Sequence, residues 1–243
     1  MFGLSNLVVI LVDPENPGNV GFTARVLANF GVQSLRIVGT DPRQDEDARR
    51  YSVHALNILN SAGIYASLES AIHDINVAWA ATARSGRNHN VTRAVVALPE
   101  LPDPTLLDGQ VALVFGRESS GLTNEEVLMC DLAFLIPTSE SYPSMNLSHA
   151  VAVTLYDLYV KYGGKEPPKK TDAKPATRRE RNQVYVFFDE IIESLPLKDY
   201  KKPIAKQVFR NLLGRAYVTG REVSTLTGVM RKTRDMINRV FDD

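Results

Sequence analysis

Three short stretches carry the residue types that could do chemistry. The first, ENPGNVGFTAR, runs from Glu15 to Arg25 and sets Asn16, Asn19, Gly18 and Gly21 ahead of a single guanidinium. Arg25 lies four residues after Gly21, so the two share a helix face. A glycine there either leaves the surface bare for the backbone or ribose of a ligand, or simply permits tight helix packing. The second, FGRESSGL, places Arg117 and Glu118 in a turn that Gly116 and Gly121 allow. Adjacent opposite charges of this kind pair locally in solvent, or Glu118 reaches Arg25 and fixes its orientation through a charge-assisted contact. The third, IPTSESYPSMNLSHA, delays its helix through Pro137 and Pro143 until about Asn146. Backbone amides left free at such a turn can hold polar or anionic groups of a small ligand. A further stretch, ATARSGRNHN, leads to Arg84, Arg87 and Arg93, a cationic loop suited to RNA phosphates.

Several chemistries are disfavoured. Gly18 and Gly21 follow a strand and open a helix, but the dinucleotide fingerprint G-x-G-x-x-G needs glycines two and then three apart, so a nucleotide-dependent oxidoreductase does not fit. The four histidines, His54, His73, His89 and His149, have no metal-ligand spacing, and with Cys130 the only cysteine no metal site is expected. His149 reads as structural. P-loop, nucleophile-elbow and zincin motifs are absent.

The elements that must position these loops alternate. Apolar runs at Leu7 to Val12, Ser34 to Val38, Val77 to Ala81, Val111 to Phe115 and Ala133 to Ile136 read as strands of a mainly parallel sheet. Helical patterns lie between and after them, at Val20 to Phe30 (ended by Gly31), Ala48 to Leu59, Leu68 to Ile72, Asn124 to Cys130 and Leu147 to Lys161. Thr123 and Glu126 form a capping box. The fold class is therefore α/β, and in such sheets ligands bind in the loops beyond the carboxyl ends of the strands, where the three stretches fall. Residues 1–162 form this domain; 163–177, rich in Gly, Pro and Lys, read as a linker; 178–243 read as a small all-α extension.

The net charge of zero conceals a division. Up to Gly164 there are 10 Lys+Arg against 17 Asp+Glu, and beyond it 18 against 11, giving −7 and +7. A basic tail on an acidic body suggests that the tail meets a polyanion, although a solvated helical surface gives the same count. The lone cysteine and the short N-terminal apolar run, which lacks a basic flank, fit a cytoplasmic protein outside the membrane.

Taken in order, N-x-G-N-x-G-x-x-x-R, F-G-R-E-x-x-G-L and I-P-T-x-x-x-Y-P-S-M-N-L-S-x-A resemble the three motifs of the SPOUT superfamily of RNA methyltransferases, and within it the TrmJ group, which 2′-O-methylates tRNA at position 32 of the anticodon loop. The resemblance spans about Leu7 to Lys161, and the basic extension is also similar. It implies a homodimer whose domain carries a deep trefoil knot holding S-adenosylmethionine, and tRNA as the partner. It further implies that Arg25 is the catalytic arginine, with Asn16 and Asn19 shaping its surroundings and Glu118 organising the site. Ala81, Thr82, Ala83, Gly116, Ile136, Pro143, Ser144 and Met145 would contact the cofactor, and Ser144 and Asn146 would also face the substrate. Two departures stand out. Many relatives have S-S-L-N where this chain has Pro143-Ser144-Met145-Asn146, and Gly-Thr-Ser-Ala-Arg where it has Ala80-Ala81-Thr82-Ala83-Arg84. Cytidine is the expected base, with uridine a second. A 2′-O-methyltransferase of ribosomal RNA and a non-catalytic RNA-binding protein share the same motifs.

Overall fold

The computed structural model describes residues 4–83, 95–107, 109–164, 175–216 and 218–242, with side chains as far as Arg239. Strands β1 (Leu7–Val12), β2 (Ser34–Val38), β3 (Gly63–Tyr65), β4 (Val77–Ala81), β5 (Val95–Ala97), β6 (Val111–Phe115) and β7 (Leu132–Leu135) form one parallel seven-stranded sheet in the order β3-β2-β1-β6-β4-β7-β5. On central strand β1, Leu7, Val9 and Leu11 enter the core on one face and Val8, Ile10 and Val12 that on the other. Burial on both faces explains the unbroken apolar run, each such side chain being worth roughly 1.5–3 kcal/mol of transfer free energy.

Helix α1 (Pro17–Asn29) starts where Asn16 Oδ1 accepts from the Gly18 amide at 2.8 Å, with proline at the first helical position. It ends at Phe30, and Gly31 turns the chain away at φ 71°. Gly21 is buried: a Cβ there would sit 2.3 Å from the Ala48 carbonyl oxygen. The bare surface expected beside Arg25 is thus taken up by close packing of α1 on α2 (Glu46–Ser52).

The helix expected from Ala48 to Leu59 is broken. After α2 the backbone takes φ 48° at Val53, passes through a 3₁₀ turn and resumes as α3 (Leu56–Asn60). Ala48, Ser52, Ala55 and Leu59 are all buried, so the apolar period runs through the break and gives no sign of it. Strand β7 lies one residue earlier than expected, and Ile136 packs half-buried just past its end. Strands β3 and β5 were not anticipated, because three residues at a sheet edge are too few to show a period.

Short helices α4 (Leu68–Ala71) and α5 (Asn124–Leu128) precede α6 (Leu147–Leu158), which packs on α1 and continues as a π-turn to Gly163. Beyond it, α7 (Arg178–Ser194), α8 (Lys201–Arg215) and α9 (Gly220–Asp242) enclose a small core of Ala176, Val184, Leu213 and Val223. Pro175 pairs with Thr219, and Thr177 caps α7, so the chain is already docked before that helix begins.

This extension is fastened to the body through Asp131. Arg181, only 4% exposed, meets the Asp131 carboxylate at 3.2 Å, and Arg178 lies 3.6 Å from its other oxygen. Asp131 in turn accepts from the Ala78 amide at 2.9 Å, at the start of β4. The extension therefore sits at the amino-terminal ends of β4 and β7, opposite to the loops that leave the carboxyl ends.

Candidate active site

Strands β1 and β6 pair in register, with Leu11 opposite Phe115. Their following loops must therefore be neighbours, and a set of polar contacts joins them. The Glu118 carboxylate accepts from the Glu15 amide at 2.8 Å, the Asn16 amide at 3.2 Å and Asn19 Nδ2 at 2.7 Å. In return, Glu15 accepts from the Ser119 amide at 3.0 Å and its hydroxyl at 2.5 Å. Desolvation works against the charge on Glu118, but the bonds from Asn19 and the neighbouring amides outweigh it and hold the carboxyl below its ordinary range.

The expected pairing of Glu118 with Arg25 is not formed. Glu118 binds the N-terminal end of α1, where free amides and the helix dipole favour an anion, whereas Arg25 lies two turns further along. The Arg25 side chain is exposed and, among the described residues, makes no hydrogen bond or ion pair. A guanidinium left unpaired on the helix whose start the polar cluster organises is available for an anionic ligand.

Arg117, adjacent to Glu118, points elsewhere. It pairs with Asp13, at the end of β1, and with Glu126 at 3.0 Å. Its hydrogen bond to Glu126 raises its pKa further above an already high value despite partial burial. Glu126 also closes the capping box of α5 by accepting from the Thr123 amide at 2.7 Å. Asp13 holds φ 43°, a left-handed conformation that aspartate tolerates better than most residues. Sequence reasoning missed Asp13, Glu15 and Ser119 as parts of this frame. Pairing of the two strands, had it been assigned, would have brought their loops together.

The third stretch joins through Asn146. Its Nδ2 donates to Asn19 Oδ1 at 3.0 Å, and its Oδ1 caps α6 by accepting from the Ser148 amide at 3.0 Å. Glu118, Asn19 and Asn146 thus form one chain of hydrogen bonds across all three stretches, and Asn16 adds its backbone amide. Ahead of Asn146, Pro143 and Ser144 are exposed and Met145 is half-buried, and the amides of Ser144 and Met145 make no bond within the described chain. Ala81 and Thr82 are half-buried at the end of β4, where the Thr82 amide extends the ladder to Phe134 at 2.9 Å; Ala83 is exposed. Gly116 packs so closely under the following turn that a Cβ would lie 2.2 Å from Gly121 backbone carbon.

Arg84, Arg87 and Arg93 lie outside the described residues. His149 Nδ1 lies 2.9 Å from Asn146 Oδ1, which supports the helix start. Among the described residues no group of His, Cys, Asp and Glu is arranged to hold a metal ion, and no helix is long and apolar enough to cross a membrane.

A model of the SpoU rRNA Methylase family matches residues 6–156. The chain is 40% identical over 227 residues to the tRNA (cytidine-2'-O-)-methyltransferase TrmJ of Methanocaldococcus jannaschii, covering 92% of this chain and 97% of that one. It is 30% identical over 252 residues to the tRNA (cytidine/uridine/adenosine-2'-O-)-methyltransferase TrmJ of Pseudomonas aeruginosa, covering 95% of each. Among solved structures, TrmJ from Z. mobilis ZM4 superposes with a TM-score of 0.67 at 25% identity, covering 93% of this chain and 97% of that one. With the family model spanning more than half of its length and a relative matched almost end to end, the chain belongs to the SpoU methylase family and, within it, to the TrmJ group.

Proposed function

We propose that the protein transfers a methyl group from S-adenosylmethionine to the ribose 2′-hydroxyl of nucleotide 32 in the tRNA anticodon loop, with cytidine as the main base and uridine as a second. The observation that carries this reading is the Glu118, Asn19 and Asn146 chain, which gathers three separate stretches around the start of the helix that bears the unpaired Arg25. The names of the similar TrmJ proteins support the substrate class.

The residues suit the cofactor. Free amides at Ser144 and Met145 offer donors, and half-buried Ala81, Thr82 and Ile136 offer an apolar wall. Together with Ala83, Gly116 and Pro143 they would hold S-adenosylmethionine, which supplies an electrophilic methyl on a sulfonium. Arg25 binds a phosphate next to the target and lowers the proton affinity of the 2′-hydroxyl. It does not act as the base, because a guanidinium stays protonated; as the oxygen gains the methyl and the sulfonium is left as a neutral thioether, the hydroxyl proton leaves to water or a nearby group. Ser144 and Asn146 orient the ribose, and Asn16, Asn19 and Glu118 hold those groups in place, so catalysis rests on positioning and electrostatics.

The same reading takes residues 1–162 as a knotted catalytic domain, 163–177 as a linker and 178–243 as a basic extension, acting as a homodimer in the cytoplasm. Arg84, Arg87 and Arg93 contact RNA phosphates. Val153, Tyr156 and Val160 support the dimer: they form an exposed stripe along α6 and the π-turn that continues it, Tyr156 and Val160 being 61% and 65% exposed. Methyl incorporation from labelled S-adenosylmethionine into tRNA transcripts, compared with ribosomal RNA fragments, tests the reading; incorporation only into the latter would replace it with the ribosomal alternative.

A further inference from the structure

Helix α1 presents more than Arg25. Gly18, Phe22, Arg25 and Asn29 are spaced four, three and four apart and so line one stripe of the helix. Phe22 is 39% exposed on that stripe, unusual for an aromatic ring in a helix that buries its other face. Its ring stacks on that of Tyr51, with centroids 4.6 Å apart and planes inclined by 19°. Tyr51 in turn lies on the first turn of α1: a Cβ at Gly18 would be 3.1 Å from the tyrosine ring, a tight contact that the glycine relieves. The Arg50 guanidinium lies over Tyr51, 5.6 Å from its centroid.

We propose that Phe22 and Tyr51, with Arg50 layered against them, form a platform on which a base of the substrate RNA stacks while Arg25 holds the adjoining backbone. This rests on the assignment of tRNA as substrate and names a binding surface for it. Unpaired bases of RNA loops are recognised by stacking on aromatic rings and guanidinium planes, with cations nearby for the phosphates. All of these groups occur here within one helical stripe and the helix packed beside it. The exposed stripe of α6, by contrast, is apolar apart from the tyrosine hydroxyl and is the better face for a second copy of the chain.

The test measures tRNA binding by the full chain across a salt series, with dimerisation followed by sedimentation and S-adenosylmethionine affinity by calorimetry. Phe22→Leu keeps apolar bulk and removes the ring; it should weaken tRNA binding about 5- to 150-fold with an unchanged salt slope, while Phe22→Trp retains affinity. Arg25→Ala should reduce the salt slope by about 0.7, the loss of one phosphate-neutralising cation. Normal tRNA affinity in Phe22→Leu would overturn the platform, as would a loss of affinity accompanied by dissociation of the dimer, which would assign the rings to the subunit interface. Absence of methyl transfer by the unsubstituted chain would instead overturn the catalytic reading, because binding is measured separately.

Discussion

Asn146 donates its side-chain Nδ2 to Asn19 Oδ1 at 3.0 Å, linking residues 127 positions apart in the chain. Asn19 is 7% exposed and spends its own Nδ2 on Glu118, so both ends of one amide are committed. Asn19→Asp keeps the shape but replaces the donor with a second carboxylate against Glu118. Turnover should fall on the order of 10²-fold, the scale of a small misplacement of reacting groups, with cofactor affinity nearly unchanged. Steady-state kinetics and calorimetry with S-adenosylmethionine check this; unaltered kcat would show that the hydrogen-bond chain is not required.

Arg25→Ala should abolish methyl transfer while leaving cofactor binding almost intact, since the groups proposed to hold the cofactor lie on other segments. Arg25→Lys should also lose most of its activity, because an ammonium cannot reproduce the guanidinium fork. Single-turnover rates at saturating tRNA separate an effect on chemistry from one on binding.

Glu118 adds a pH dependence. Its folded carboxyl is held below the ordinary range, so its contribution to stability is complete above the unfolded value of about 4.3 and is lost as pH falls toward the folded one. Urea unfolding between pH 7 and pH 3 should show the native chain losing more stability over that interval than Glu118→Gln. Parallel curves would mean that the carboxylate is not stabilised by its partners.

How much of this was legible beforehand depended on the kind of signal. Long central strands such as β1 and β6 announce themselves by continuous apolar runs, whereas α1 begins at Pro17, about a turn before the Val20 expected from its apolar period, because Asn16 caps it there. The Val53 break did not announce itself, because burial kept its helical period across it. Neither did the destination of Glu118: the sequence places it beside Arg117 and suggests Arg25, whereas strand pairing delivers it to the N-terminus of α1. Gly21 is legible as special but not as a packing residue, since that depends on which helix crosses it.

The extension supplies a stability prediction. Asp131 faces two largely buried guanidiniums, and among the described residues Arg181 Nε and Nη2 have no hydrogen-bond partner, so Nη1 to Asp131 is the contact that compensates its charge. Asp131→Ala should cost about 3–5 kcal/mol, the usual penalty for leaving buried charges unpaired, and should loosen the extension first. Limited proteolysis with thermal melting checks this; a single unaltered transition would show that the Asp131 contacts are not what holds the extension.

The most direct test maps the methyl group itself. The full chain is incubated with S-adenosylmethionine and a tRNA transcript, the RNA is digested, and the fragments are identified by mass spectrometry, with a transcript carrying 2′-deoxycytidine at position 32 as the control. The expected result is a single 2′-O-methylcytidine at position 32, absent from the deoxy control and from reactions with Arg25→Ala. A methyl group on a base, on a different nucleotide, or on the deoxy transcript would contradict transfer to that ribose hydroxyl.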